Sequence, residues 1–245
     1  AAVDCLNGGN PEDPETYDGF SSAVEGLAAA CADLSVPVVG GNVSLYNDSE
    51  TGPVAPTPTL AVLGTKTGYD APTATVSGEG DLVLLEPAAW VAGSDIGSDD
   101  PHALGGSLLL ENLGGSDRFP GVPAEPGALV DAIGRVADLH STRATHDVSD
   151  GGLAVTLAEM VTESAGVEVS LDDAATLFSE APGRVVVETA DADALRAAVG
   201  DDAAVTELGA ATDDGSLSLS VAGESVAVDA AEVADLRDVL ARELD

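Results

Sequence analysis

Residues Phe20, Val24, Leu27, Cys31 and Leu34 recur at alternating spacings of four and three, and two residues later Val36-Pro37-Val38-Val39 forms a short apolar run ending in Gly40-Gly41. The first pattern is the stripe of an amphipathic helix, with Asp18 placed to cap it. The second fits a buried strand that turns sharply at its glycines. Thr59 to Thr65 (TLAVLGT) gives a second buried strand. A one-sided helix needs a surface to cover, and a strand that follows it directly supplies one, so the chain is expected to be a layered α/β protein.

Between Gly68 and Gly80 the sequence GYDAPTATVSGEG loses apolar periodicity and becomes small and polar, as a linker or crossing loop does. This places a boundary near residue 75 and divides the chain into domains 1-75 and 76-245. Beyond it, Asp81 to Glu86 and Arg184 to Thr189 read as strands, and Leu217 to Val228 as a hairpin around Gly223. Leu129, Ile133, Val136 and Leu139 mark one helix; Leu153, Leu157, Met160 and Val161 mark another; Val233, Leu236, Val239, Leu240 and Leu244 mark a last one. The opening AAVDCLN resembles the tail of a strand entering a loop, which suggests a chain that begins inside a larger protein.

Charge decides what such a surface can meet. There are 44 acidic and 8 basic residues, a formal net charge of −36, and the acidic residues are spread between apolar segments rather than gathered in a tail. A polyanion of this kind repels nucleic acid and anionic membranes. In molar salt the Debye length falls to about 3 Å and the surface is screened, whereas in dilute buffer self-repulsion loosens the fold. The expectation is a halophilic, cytoplasmic protein. Only 3% of residues are aromatic, so Ala, Val and Leu must build the core. No apolar run approaches the about 20 residues of a bilayer span, and no basic and apolar leader opens the sequence. Cys5 and Cys31 stand apart, without metal or disulfide spacing, and read as buried thiols.

Three clusters could carry chemistry. The run from Asp4 to Glu12 (DCLNGGNPE) is a surface loop of Asx turns or a binding loop. Gly40 to Asn47 (GGNVSLYN) follows a strand end, where ligands bind in α/β folds; its glycines allow close approach, and a neutral oxygen such as that of Asn42 suits Mg²⁺. A plain turn is the alternative there. His146 to Leu153 (HDVSDGGL) precedes a helix: Asp150 can cap it, and the two glycines make an amide cradle for an anion. Asp147 and Asp150 would repel a phosphate, so either Mg²⁺ lies between them or they are structural. His102 and His140 read as structural, and no HExxH, GxSxG or P-loop pattern is present.

Taken in order, DCLNGGNPEDPETY, VPVVGGNVSLYN, PTPTLAVLG, LGGS, ATHDVSDGGLAVTLAEM and FSEAPGRVVVE resemble the second half of the phosphoribosylformylglycinamidine synthase family over nearly the whole chain. The resemblance implies the second half of an aminoimidazole-ribonucleotide-synthetase-like α/β fold: a partial N-terminal half-domain that contributes to a β-barrel and binds ATP, and a C-terminal α/β domain. It implies an ATP-dependent carbon–nitrogen ligase that phosphorylates the formamide oxygen of formylglycinamide ribonucleotide, after which ammonia displaces phosphate to give the amidine. By that pattern Asp4 and Gly41 contact ATP, Asn42 binds Mg²⁺ and Ser44 contacts the ribonucleotide. The implied partners are the missing N-terminal half of the synthase, a glutaminase subunit and a small bridging subunit. Gly8 stands where the family commonly has Phe, and Gly40 where Ser is usual. The family's catalytic histidines and acidic metal ligands lie upstream, so this chain alone is expected to be inactive. Alternatives are a noncatalytic remnant or assembly module, or another superfamily member such as aminoimidazole ribonucleotide synthetase. An SHNHPS-like stretch upstream would discriminate against both.

Overall fold

The computed structural model describes residues 1–68, 70–91, 97–98 and 100–238. The chain divides into two compact units, Ala1–Tyr69 and Asp70–Asp245.

In the first unit, β1 (Ala2–Asn7) is the centre of a three-stranded sheet. β2 (Val38–Ser44) lies parallel to it on one side and β3 (Thr57–Val62) antiparallel on the other. The connection from β1 to β2 is the long helix α1 (Pro14–Asp33). Its N-cap is Asp13, whose carboxylate accepts the Thr16 N–H at 3.0 Å, with proline at the first helical position. Asp18, expected as the cap, lies one turn inside the helix, because Pro14 and Asp13 already supply the start signal. Ala2 and Leu6 of β1 are buried while Val3 and Cys5 are exposed, so the sheet has a covered and a bare face. On the covered side Phe20 and Thr16 of α1 lie over Gly8 and Gly9.

The expected burial of Val36 to Val39 and of Thr59 to Thr65 is not found. Every residue of β3 is exposed, as is all of β2 but Ser44; Val39 is 67% and Leu63 79% accessible. One helix cannot cover both faces of a sheet, and no residue of α1 is fully buried. The three strands form an open sheet, and the described residues close no barrel. For the same reason Cys5 is exposed and Cys31 only half-buried, in contrast to the buried thiols anticipated.

The second unit carries a seven-stranded sheet. Its strands are β4 (Gly80–Pro87), β5 (Thr142–Asp147), β6 (Gly166–Leu171), β7 (Val185–Thr189), β8 (Ala203–Thr212), β9 (Ser216–Val221) and β10 (Glu224–Asp229), in the order β5-β7-β4-β8-β6-β9-β10. All neighbours are antiparallel except β6 and β9. The continuous run Leu82 to Leu85 is wholly buried because both of its faces are covered. Leu82, Leu84 and Val186 meet Leu153, Leu157 and Met160 of α4 (Gly152–Met160) and Leu177 of α5 (Ala174–Phe178) on one side. Val83, Leu85 and Val187 meet Leu129 and Val136 of α3 (Pro126–Ala137) and Leu195 and Val199 of α6 (Ala192–Val199) on the other. A short helix α2 (Leu108–Leu113) and a final α7 (Ala230–Arg237) complete the unit. The last stripe therefore ends earlier than expected, and Val239, Leu240 and Leu244 lie outside the described residues.

The polar stretch read as a linker is tied down in its second half. Thr73 N–H donates to the Arg143 carbonyl at 3.2 Å and Val76 is buried. The fully buried Glu188 carboxylate accepts from Ser77 N–H at 2.7 Å, Ser77 Oγ at 2.6 Å and Glu79 N–H at 3.2 Å. Buried carboxylates persist where donors replace water, and here three do. No helix among the described residues is long and apolar enough to cross a membrane.

Candidate functional site

The parallel register of β1 and β2 sets Asp4 beside Gly41, Cys5 beside Asn42 and Asn7 beside Ser44. Asp4, Gly41, Asn42 and Ser44 therefore come together on two adjacent strands although about 40 residues separate them in sequence. Gly41 has to be glycine: a Cβ there would collide with the Asp4 carbonyl oxygen.

Strand alternation then sorts these residues by face. Asp4 falls between Ala2 and Leu6 on the covered side, half-buried, and its Oδ1 is buried with no hydrogen-bond partner. Asn42 shares the bare side with exposed Cys5 and is itself exposed. A buried acceptor without a donor costs about 1–3 kcal/mol, so Asp4 Oδ1 is an unmet demand for a donor or a cation.

Ser44 is held by Asn47, a residue not among the four site candidates. Asn47 Nδ2 donates to Ser44 Oγ at 3.2 Å, to the Ser44 carbonyl at 3.0 Å and to the Gly8 carbonyl at 3.1 Å. Backbone bonds from Tyr46 N–H to Gly9 O (2.9 Å) and Asn47 N–H to Gly8 O (3.1 Å) finish the link. The two glycine-rich clusters are thus one structure, and Tyr46 adopts a left-handed φ of 62° to make it. The signal in sequence was an Asx residue after a strand end, a type that bonds nearby backbone. A Cβ at position 8 would meet Phe20 and Leu45 at 3.5 Å, an ordinary contact, so the fold itself does not require glycine there.

The HDVSDGG cluster lies in the second unit, and there Asp150 is not the cap. The N-cap of α4 is Gly151, in the left-handed region at φ 81°, and no side chain of its own closes it. Gly152, at φ 67°, could not bear a Cβ, which would strike the Leu177 and Ser179 carbonyl oxygens. The amide cradle expected here is filled by the protein: Gly151 N–H donates to Glu180 Oε1 at 2.8 Å. Asp147 and Asp150 are both exposed. Among the described residues no group of three His, Cys, Asp or Glu side chains is placed to hold a metal ion.

Glu180 belongs to the FSEAPGR stretch, which Arg184 fixes. That guanidinium is fully buried and donates to Glu86 Oε1 at 3.1 Å and to the Ser179 and Thr176 carbonyls at 2.9 and 3.1 Å. Burial pulls the Arg184 pKa below its ordinary value, opposed by the Glu86 carboxylate. Asp173, the N-cap of α5, takes the Thr176 N–H at 2.8 Å, which holds its carboxyl below the ordinary 3.8. His102 Nδ1 lies 3.1 Å from Thr176 Oγ1, and His146 Nδ1 2.9 Å from the Asp147 carbonyl.

The family models for AIR synthase related protein match both units, the N-terminal domain over residues 1–65 and the C-terminal domain over residues 80–222. The chain belongs to the AIR synthase related protein family. Within that family it is similar along its whole length to phosphoribosylformylglycinamidine synthase subunit PurL of haloarchaea. It is 56% identical over 245 residues to that of Halobacterium salinarum and 53% over 249 residues to that of Natronomonas pharaonis, covering all of this chain and 33% of each relative. The chain thus spans about a third of the length of the curated relatives it matches. Among solved structures, Thermotoga maritima PurL complexed with FGAR superposes with a TM-score of 0.67 at 14% identity, over 95% of this chain and 39% of that one. Hydrogenase maturation protein HypE gives 0.59 at 16%, over 93% of this chain and 75% of its own. These likenesses establish the α/β fold read from the sequence.

Proposed function

We propose that this chain is part of the ATP-dependent ligase that converts formylglycinamide ribonucleotide, ATP and glutamine-derived ammonia to formylglycinamidine ribonucleotide in purine biosynthesis. The observation that carries the reading is the 56% identity to haloarchaeal PurL over all 245 residues, which include the four residues gathered on β1 and β2. The first unit is then the ATP-binding half-domain and the second the C-terminal domain, in a cytoplasm rich in salt.

In this reading Asp4 and Gly41 contact ATP, Asn42 offers its side-chain oxygen to Mg²⁺, and Ser44 contacts the ribonucleotide. Mg²⁺, when bound, neutralises phosphate oxygens during phosphoryl transfer. Asn42 is exposed and neutral, as a single ligand of such an ion can be, while Asp4 occupies the other face of the sheet. Two oxygens so placed do not make an octahedral site, so the set fits the ion only with ligands from outside these 245 residues. Asn47 keeps Ser44 Oγ oriented, which reduces the ordering cost when substrate arrives. The chain alone is therefore inactive and works with the complementary part of the synthase, a glutaminase subunit and a small bridging subunit.

The test is Asn42→Ala in the full-length synthase, in molar KCl with ammonium as nitrogen donor. Turnover at limiting Mg²⁺ should fall at least about tenfold with an unchanged melting temperature, and Mg²⁺-ATP binding by calorimetry should weaken in parallel. Unchanged turnover and binding would make Asn42 a turn residue and remove the metal assignment.

A further inference from the structure

Three stretches of the second unit that resemble the synthase family, LGGS, HDVSDGG and FSEAPGR, have no part in the reading above, and the fold brings them to one point. Glu180 Oε1 accepts two backbone N–H groups at once: Leu108, the first residue of α2, at 2.8 Å, and Gly151, the N-cap of α4, also at 2.8 Å. One oxygen atom thus joins the starts of two helices, at Leu108 and Gly152, that are far apart in sequence. It lies at the N-terminus of α4, where the helix dipole favours negative charge.

The segment that presents Glu180 is fixed from both sides. Ser179 is fully buried, and its Oγ donates to the Pro101 carbonyl at 2.9 Å while Arg184 holds its carbonyl. Gly152 packs directly against the Leu177 and Ser179 carbonyls, so the start of α4 abuts this segment with no room for a side chain. On the other side of the junction, Ser107 is buried and caps α2 through the Leu110 N–H. Asp117 anchors the Leu104 N–H at 2.9 Å.

We propose that Glu180 is a positioning residue that locks the LGGS and HDVSDGG loops into one rigid unit, its carboxylate occupying the amide cradle as a built-in anion. The cradle is then closed to external phosphate, and displacement of either loop is transmitted to the other through the Glu180 carboxylate and the Ser179 segment that presents it. The carboxyl oxygen, rather than its charge alone, makes the junction, so Gln at 180 preserves it and Ala does not.

The experiment is amide hydrogen exchange on the full-length protein in molar KCl, comparing wild type with Glu180→Gln and Glu180→Ala. In Glu180→Ala the Leu108 and Gly151 amides should exchange at least about tenfold faster together, while Val83 and Val187 in the sheet stay protected. Glu180→Gln should remain within about threefold of wild type at both amides. Acetate or inorganic phosphate added to Glu180→Ala should slow both amides again, and phosphate should leave the wild-type pair unchanged. If only one amide responds, if Gln behaves like Ala, or if phosphate protects the wild-type pair, the junction does not exist as described. Should Glu180→Ala fail to fold, the wild-type phosphate titration and the Gln variant still decide the matter.

Discussion

β2 and β7 are both Val-rich strands beside a central strand, yet every residue of Val38–Val43 is exposed while Val186 to Thr189 are buried. The difference is not in the strands. β7 lies in a sheet with helices on both faces, α4 and α5 on one and α3 and α6 on the other. β2 lies at the edge of three strands that have a single helix on a single face. Apolar sequence states a demand for burial, and whether it is met depends on what else is present to cover it. Val38, Val39, Val43, Val62 and Leu63 leave that demand open in the first unit.

Salt gives the largest separation of the two units. With a net charge of −36, lowering KCl from molar to millimolar should unfold the protein by self-repulsion. The first unit, without a buried helix face, should melt first, so calorimetry in falling KCl should resolve two transitions. One transition at every salt concentration would mean that the units share a core, and a salt-independent melting temperature would remove the halophilic reading.

Side-chain removal sharpens the same contrast. Arg184→Ala removes a fully buried side chain, takes the ion-pair partner from the half-buried Glu86 and leaves two carbonyls without donors, so it should cost about 3–5 kcal/mol in urea unfolding of the second unit. Leu63→Ser, at an apolar side chain that is mostly in solvent, should stay within about 0.5 kcal/mol. Comparable losses at both positions would show that Leu63 is covered in solution.

The contrast also explains what the sequence made legible. Helix stripes at Leu129, Val136, Leu153 and Leu157 and the strands Asp81 to Glu86 and Arg184 to Thr189 could be read because local periodicity and tertiary burial agree there. Val36 to Val39 was read as buried from the same local signal, and nothing within the run tells an edge strand with a bare face from a central one. Caps failed differently. Asp18 and Asp150 are good capping types, but Asp13 with Pro14, and a carboxylate 29 residues beyond Gly151, took the role. The four candidate site residues were placed by family resemblance; their adjacency follows from strand pairing, and the division of Asp4 from Asn42 by face follows from register, which single-strand patterns do not fix.

The smallest effect concerns these caps and compares the two units once more. Asp13 at α1 and Asp173 at α5 both hold backbone N–H groups from Thr16 and Thr176, and both carboxyls lie below their ordinary 3.8. A carboxyl whose folded value is depressed adds stability that is complete above the unfolded value and is lost as pH falls through the folded one. The window is therefore below about pH 4 for both. α5 is also held by buried Leu177 and by Arg184, whereas α1 has no buried residue, so α1 should fray first. Asn caps about as well as Asp and does not titrate, so Asp13→Asn should keep helicity near pH 7 and flatten its loss below about pH 4. Circular dichroism in molar KCl reads the difference between wild type and variant, which cancels the other carboxyls. Identical acid profiles for the two proteins would show that α1 does not depend on its cap and is held instead by a surface that covers the first unit.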